Sequence, residues 1–415
     1  AQGRVEEVLP YADRFLEAAP ASTGPRYLKL RVLVEVDSLE AVRAEGEDWI
    51  HRDPAAVEPY REVARILGEV LGREAAVEVL EEGMRSAERG YDLALDLGDL
   101  FFEDGAFDRA GRAWAQAVGP DGENGPAVLR RVSRLEGERA AVLQPMLASL
   151  GGAQEPPGRL RVATQLALEG GLGDETIRLA AEASAGLDPA GRRAFLTELA
   201  RRAEERRIDP VTLFALQALR ANAEVESEIR SLDRRIGDVA LLVGDTATAL
   251  ASWQAAAAGL PQGSPERRRT LAQVLRLEAE MRPLDRAGIS SDLEAFKEEF
   301  PDASELDALA ASVSVRLQSE GDLAGAVVAL QGVHGPASSL ERAYLILAGG
   351  DPAKAREDLL SALAGLPAGQ ATDVIALVAL LDRSSPAGQR VAAQATVLAH
   401  RGSAAEAVAE VEAGR

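Results

Sequence analysis

Histidine is the side chain most often recruited to metal and acid–base sites, and the chain has three, His51, His334 and His400. They lie far apart, and no two stand four residues apart as the imidazoles of a helical metal site do. His51-Arg52-Asp53 matches the triplet that opens a kinase catalytic loop. The asparagine needed five residues after the aspartate is Glu58, and no glycine-rich loop or Asp-Phe-Gly accompanies it, so the triplet reads as coincidence. Asp121-Gly122-Glu123-Asn124-Gly125 has part of the pattern of a calcium loop, but the closing position is Val132, so it reads as a turn. There is no cysteine, which excludes disulfides, thiolate chemistry and Cys-based zinc sites. Phosphate loop, Gly-x-Ser-x-Gly elbow and dinucleotide fingerprint are all missing, and 67 acidic residues single out no catalytic pair without a cleft to choose among them. The expectation is a non-enzyme with no catalytic, cofactor-binding or metal-binding residues and no cofactor.

Charge is the stronger signal. The net charge of −21 argues against nucleic acid as a partner, because phosphate binding needs a basic face. Residues 1–125, 126–290 and 291–415 carry −13, +1 and −9 respectively. The middle is arginine-rich: Arg192-Arg193, Arg201-Arg202, Arg206-Arg207, Arg234-Arg235 and Arg267 to Arg269. One reading is a groove that grips an acidic or phosphorylated segment through bidentate guanidinium contacts. The other is pairing with neighbours such as Glu204 and Glu205 on a solvated helix face, which the interleaving of acids and arginines favours. The longest apolar run, Val374 to Leu381, falls far short of the roughly 18 residues of a membrane span.

Few β-branched residues alternate with polar ones, so strand signals are missing and the expected fold class is all-α. The organising stretch is Tyr91 to Val118. It reads as two amphipathic helices joined by a turn, with Leu97, Gly98, Phe101, Gly105, Phe107, Ala110, Trp114 and Ala117 at linked spacings. Gly105 stands where the first helix must stop, since glycine takes the left-handed conformation readily. Gly98 and Ala110 are small enough for the two axes to approach, with Phe101, Phe107 and Trp114 filling the wedge. Ile236, Gly237, Ala240, Gly244, Thr246, Ala249, Trp253 and Ala256 repeat the pattern. Weaker copies run through Gly72, Gly321, Gly350 and Gly402, and Trp49 before Asp53-Pro54 marks the end of an earlier second helix.

This set resembles the tetratricopeptide repeat (TPR), whose period is about 34 residues. The resemblance implies an αα-superhelix, a TPR-like solenoid of stacked hairpins with first helices on the concave side. We expect acidic N-terminal repeats over 1–125, divergent hairpins over 126–224 and C-terminal repeats over 225–415. Asp188-Pro189 and Asp209-Pro210 should start helices, and an extra helix should occupy Thr372 to Arg383. The last helix, after Gly402-Ser403, lacks a polar capping partner, which predicts that the sequence is a piece of a longer chain or docks its end on another subunit.

The resemblance places ligand contacts on the first helices, which selects Leu95, Asp99, Phe102 and Glu103, then Arg234, Asp238 and Leu241, then Leu340, Tyr344 and Leu347 as a partner-binding groove. That groove should be acidic first, mixed in the middle and apolar last, suited to an amphipathic helix or an extended peptide. The expected function is a non-catalytic scaffold for protein–protein interaction in a bacterial cell-envelope or exported setting. The alternative is a structural protein that self-associates through stacked repeats into an oligomer or filament. Ala1-Gln2 fits the residue pair left by signal-peptide removal, and Phe300-Pro301-Asp302 resembles helix ends of envelope TPR proteins. These point to a periplasmic or extracellular (secreted) location, with the cytoplasm as the alternative.

Overall fold

The computed structural model describes residues 6–20, 22–152 and 154–414. Ala1, Gln2 and Arg415, on which the reading of the termini rests, lie outside them. The described residues form helices and turns, with no strand among them. The chain clusters into two compact units, Ala1–Leu219 and Arg220–Arg415. The first contains α1 (Leu9–Ala18), α2 (Thr23–Glu35), α3 (Leu39–Arg52), α4 (Val57–Leu71), α5 (Arg73–Ser86), α6 (Ala94–Glu103), α7 (Phe107–Gln116), α8 (Gly125–Ser133), α9 (Arg139–Leu150), α10 (Pro157–Glu169), α11 (Gly173–Ala185), α12 (Pro189–Arg206) and nearly all of α13 (Asp209–Ala221). The second contains α14 (Glu226–Leu242), α15 (Thr246–Ala258), α16 (Pro265–Glu280), α17 (Arg286–Glu299), α18 (Leu306–Ser319), α19 (Leu323–Ala329), α20 (Pro336–Ala348), α21 (Pro352–Ala362), α22 (Ala368–Arg383), α23 (Pro386–His400) and α24 (Ala404–Ala413).

The hairpin turns follow from one backbone device. Gly105 has φ +71°, its N–H donates to the Phe102 carbonyl at 3.0 Å, and the Ala106 N–H donates to Phe101 at 2.9 Å. Those two bonds satisfy carbonyls that the end of α6 would leave open. Gly244, at φ +81°, closes α14 in the same way, with bonds of 3.1 Å to Leu241 and, from Asp245, 2.9 Å to Ala240. Where aspartate follows the glycine, it also starts the next helix. Asp245, Asp322 and Asp351 accept the N–H groups of Thr248, Gly325 and Lys354 at 3.0, 2.8 and 3.1 Å. A Gly-Asp pair is thus both a stop and a start.

Small residues set the helix spacing. Trp114 and Trp253 are 2% and 3% exposed, and each indole lies over a glycine of the preceding helix, Gly98 or Gly237, where any Cβ would overlap the ring. Ala110 and Ala249 are fully buried at the same crossings. Gly111 performs the same service outward, because a Cβ there would run into the Val142 carbonyl of α9. The first unit has a core through Leu30, Trp49, Tyr60, Ile66, Leu93 and Phe101. In the second, one core lies around Ile289, Phe296, Leu309 and Leu317 and another around Leu359, Val374 and Val397. Helices begin at Pro189 and Asp209, and α22 is the extra helix expected before Ser385-Pro386.

Candidate functional site

Two hairpins share one polar geometry. The Trp114 indole N–H donates to Asp99 at 3.0 Å, and the Trp253 indole N–H donates to Asp238, also at 3.0 Å. In each case the aspartate directly follows the small glycine under the ring, so one dipeptide both admits the indole and satisfies its N–H. From there the two aspartates differ. Arg131 of α8 grips Asp99 with a pair of hydrogen bonds, 2.7 Å from Nε and 2.6 Å from an Nη. Asp238 accepts from Trp253 alone among the described residues.

The expected groove residues fall into three environments. In the first unit, Asp99, Phe102 and Glu103 line one cavity with Trp114, Arg131, Arg134 and Leu135, while Leu95 is half-buried. Phe102 stacks on Trp114 at 5.6 Å between ring centroids, and Glu103 is paired with Arg73 at 3.1 Å. In the second unit, Arg234 and Asp238 line a cavity of about 370 Å³ with Glu266, Arg269, Gln273, Arg276 and Glu305, from α14, α16 and the start of α18. Leu241 is exposed on α14. The third group is a correction. Leu340 and Leu347 are only 9% and 2% exposed and belong to a hydrophobic core, so they offer no groove surface. The reason is the stacking of successive first helices: α20 packs on α18 and α23 as well as on its own partner α21, just as α18 packs on α16 and α20, and this covers the stripe expected to stay open. Tyr344 is half-buried there, its ring stacked on His400 at 4.1 Å. His400 Nε2 lies 2.9 Å from the buried Glu341 carboxylate. Burial, then the carboxylates of Glu341 and Asp373, pushes the Tyr344 phenol above its usual range.

The arginine-rich middle divides in the same spirit. Arg201 bonds Glu198 at 2.6 Å and also pairs with Glu205, Arg202 meets Glu198 at 2.6 Å, and Arg206 pairs with Glu169. The two guanidiniums hold the Glu198 carboxyl down at about 2. Arg192 caps the end of α11 through the Ser184 carbonyl at 2.8 Å, and Arg267 reaches Glu299 at 2.9 Å. Pairing therefore accounts for these. Arg234, Arg269 and Arg276 make no hydrogen bond or ion pair to any described residue, and all three are exposed on the one cavity wall.

A second polar cluster was not visible in the sequence. The Glu278 carboxyl of α16 accepts the Gln254 amide at 3.2 Å, while its other oxygen is buried without a donor beside Asp292 of α17. Burial first, and then the Asp292 carboxylate, raises it to about 8. Among the described residues no group of three or more His, Asp or Glu is placed to hold a metal ion, and no helix is long and apolar enough to cross a membrane. His51-Arg52 closes α3, with Arg52 paired to Asp48 at 2.7 Å, and Asp121 to Asn124 form a turn in which Glu123 accepts the Asp121 N–H at 3.0 Å.

No known family model matches the chain, and no curated protein matches it. Among solved structures it is similar to the APC/C hetero-tetramer Cut9-Hcn1, at 13% identity over 100% of this chain and 94% of that chain, with a TM-score of 0.27. It is also similar to Naa15/Naa10 bound to HypK-THB, at 12% identity over 98% of this chain and 72% of that one, TM-score 0.28. The TPR domain of P58(IPK) is a third, at 15% identity over 92% and 98%, TM-score 0.22. At such scores the TPR-like character of this chain stands on its own hairpins, in which the glycine turn and the tryptophan over glycine recur.

Proposed function

We propose that this chain is a non-catalytic helical-repeat scaffold that binds another protein through exposed faces of its first helices. One observation carries the reading. Neighbouring first helices α14 and α16 wall a cavity with Arg234, Asp238, Arg269, Gln273 and Arg276, and these side chains take no part in the hydrophobic stack beneath them. Polar side chains held on rigid helices beside an open cavity are the material of a recognition surface. The test is crosslinking of the full chain to its partners in lysate, followed by Arg234→Glu and Asp238→Lys. A partner that crosslinks to α14 and α16 and is released by these changes, yet retained by Gln116→Lys on second helix α7, fits the proposal. Retention by all three variants would remove the binding face from these helices. Self-association through stacked repeats competes with this reading, and a mass above one chain at all concentrations by light scattering would favour it. An envelope setting belongs to the same proposal, and its support is the Phe300-Pro301-Asp302 helix end that closes α17. Recovery of the native protein in the cytoplasmic fraction would remove it.

A further inference from the structure

The chain holds two comparable arginine-lined cavities, and their charges are disposed of differently. In the first unit, Arg61, Arg65 and Arg73 line a cavity of about 410 Å³ between α4, α5 and α6. All three are neutralised from within: Arg61 by Asp96 at 2.9 Å, Arg65 by Glu62 at 2.7 Å and Arg73 by Glu103 at 3.1 Å and by Asp104. In the second unit the three guanidiniums of Arg234, Arg269 and Arg276 form no hydrogen bond or ion pair among the described residues, Arg276 acting on Glu305 only through space. Of the carboxylates there, Asp238 takes the Trp253 N–H and Glu305 lies 3.5 Å from Arg268, which leaves Glu266 uncommitted. The lining thus carries three guanidiniums against three carboxylates, two of which are already engaged by Trp253 and Arg268, in a chain whose net charge is −21.

We infer that this cavity binds the carboxylates of a glutamate- or aspartate-rich segment on a partner protein. The inference rests on the scaffold reading and names the chemistry of its ligand. Unpaired, water-exposed guanidiniums are pre-shaped for carboxylate forks. Their layout selects several separate carboxylates over one phosphate. Arg269 and Arg276 are two turns apart on α16, a separation of about 10 Å at 1.5 Å per residue, and Arg234 stands on the adjacent helix. A segment in the polyproline II conformation, with three residues per turn and a rise of about 3.1 Å per residue, brings carboxylates three residues apart onto one face about 9 Å apart, into register with that pair. A phosphate concentrates close to two negative charges at one point, where Asp238, Glu266 and Glu305 would oppose it.

The probe is a fluorescein-labelled octaglutamate peptide, titrated against the full chain by anisotropy, with octaglutamine and a single-phosphoserine peptide alongside. Octaglutamate should bind, weaken as salt shortens the screening length from about 10 Å toward 3 Å, and lose at least about tenfold in affinity in R269E/R276E. Octaglutamine should not bind. R65Q, in the other cavity, should bind as the parent chain does. The substituted arginines form no hydrogen bond or ion pair among the described residues, Arg276 acting on Glu305 only through space, so melting should change little, and R269Q/R276Q repeats the test if the charge-reversed chain proves unstable. Equal binding by R269E/R276E, loss of binding in R65Q, or binding of the phosphoserine peptide alone would overturn the inference. Failure of the scaffold reading looks different: octaglutamate would bind at the arginines while no protein partner crosslinks. A partner held equally by the parent chain and R269E/R276E would sink the carboxylate inference and leave the scaffold standing.

Discussion

Hairpins α6–α7 and α14–α15 are built alike, and what surrounds them makes one a joint and the other an open surface. Both place tryptophan over glycine and hang the indole N–H on the next aspartate. In the first unit Arg131 then closes on Asp99, and the arginines of the neighbouring cavity are each spoken for by a nearby acid. In the second unit Asp238 keeps only the Trp253 N–H, and three arginines form no hydrogen bond or ion pair among the described residues. The fold therefore does not dictate whether a first-helix face is available. The supply of acids and bases about one repeat further along the chain does.

The largest test of the shared part is removal of the tryptophans. Trp114→Ala and Trp253→Ala should each destabilise by on the order of 3–5 kcal/mol, because a cavity replaces a buried ring. Trp114 should lie at the upper end, since it also supports Phe102 at 5.6 Å. Denaturant unfolding gives the totals, and hydrogen exchange of α6 and α14 shows which hairpin opens. Equal stability of either variant to the parent chain would mean that the hairpin is not organised around its indole.

Next comes the helix crossing. Gly98→Leu and Gly237→Leu should cost about 1–3 kcal/mol through overpacking, since even a Cβ at either position overlaps the indole. The two should match closely, as the local contacts are the same. A large gap between them would show that the surroundings, and not the hairpin, set the tolerance.

These parts were legible in the sequence because each leaves a residue that nothing else can replace cheaply. A left-handed turn asks for glycine, as at Gly105 and Gly244, and a close crossing asks for glycine under tryptophan. The extra helix α22 was also visible, from Ser385-Pro386 after an apolar stretch. The burial of α20 between its neighbours was not. Whether Leu340 faces water depends on α23 arriving across α20, which is a tertiary fact with no local signature. The ion pairs that decide availability are equally hidden from a local reading. Arg61–Asp96, Arg131–Asp99 and Arg267–Glu299 span 35, 32 and 32 residues, about one repeat, so only a fixed repeat register would have paired them.

A pH difference should also separate the units. The Glu278 carboxyl is raised from the ordinary 4.5 to about 8 by burial and by the carboxylates of Asp292 and Asp285, while Gln254 opposes the shift. The folded second unit thus keeps a proton that the unfolded chain has already released, so its stability falls as pH rises between about 4.5 and 8. Because the carboxyl remains partly in contact with water, screening reduces the effect to about 1–2 kcal/mol. Glu278→Gln should flatten the profile across that window and stabilise the unit above it. A slope unchanged by the substitution would place the proton elsewhere.

The smallest effect bears most directly on the contrast between the two aspartates. Arg131 and Asp99 are 30% and 42% exposed, so their bidentate contact is worth no more than about 1 kcal/mol. Arg131→Ala should lower stability by roughly that amount, because Asp99 then keeps only the Trp114 N–H. Arg269→Ala removes a side chain that pairs with nothing and should change stability by less than about 0.5 kcal/mol. Grafting the arrangement of the first unit onto the second sharpens the point. Thr270 stands 32 residues after Asp238, as Arg131 stands 32 after Asp99, but Thr270 is buried and bonds the Glu266 carbonyl at 3.0 Å. The second unit thus spends on helix packing the position that the first spends on locking its aspartate. Thr270→Arg should therefore destabilise the chain through overpacking and leave Asp238 unlocked. Were it instead to stabilise the second unit, the open face of α14 would be a vacancy left by sequence drift and not a consequence of how α16 is packed.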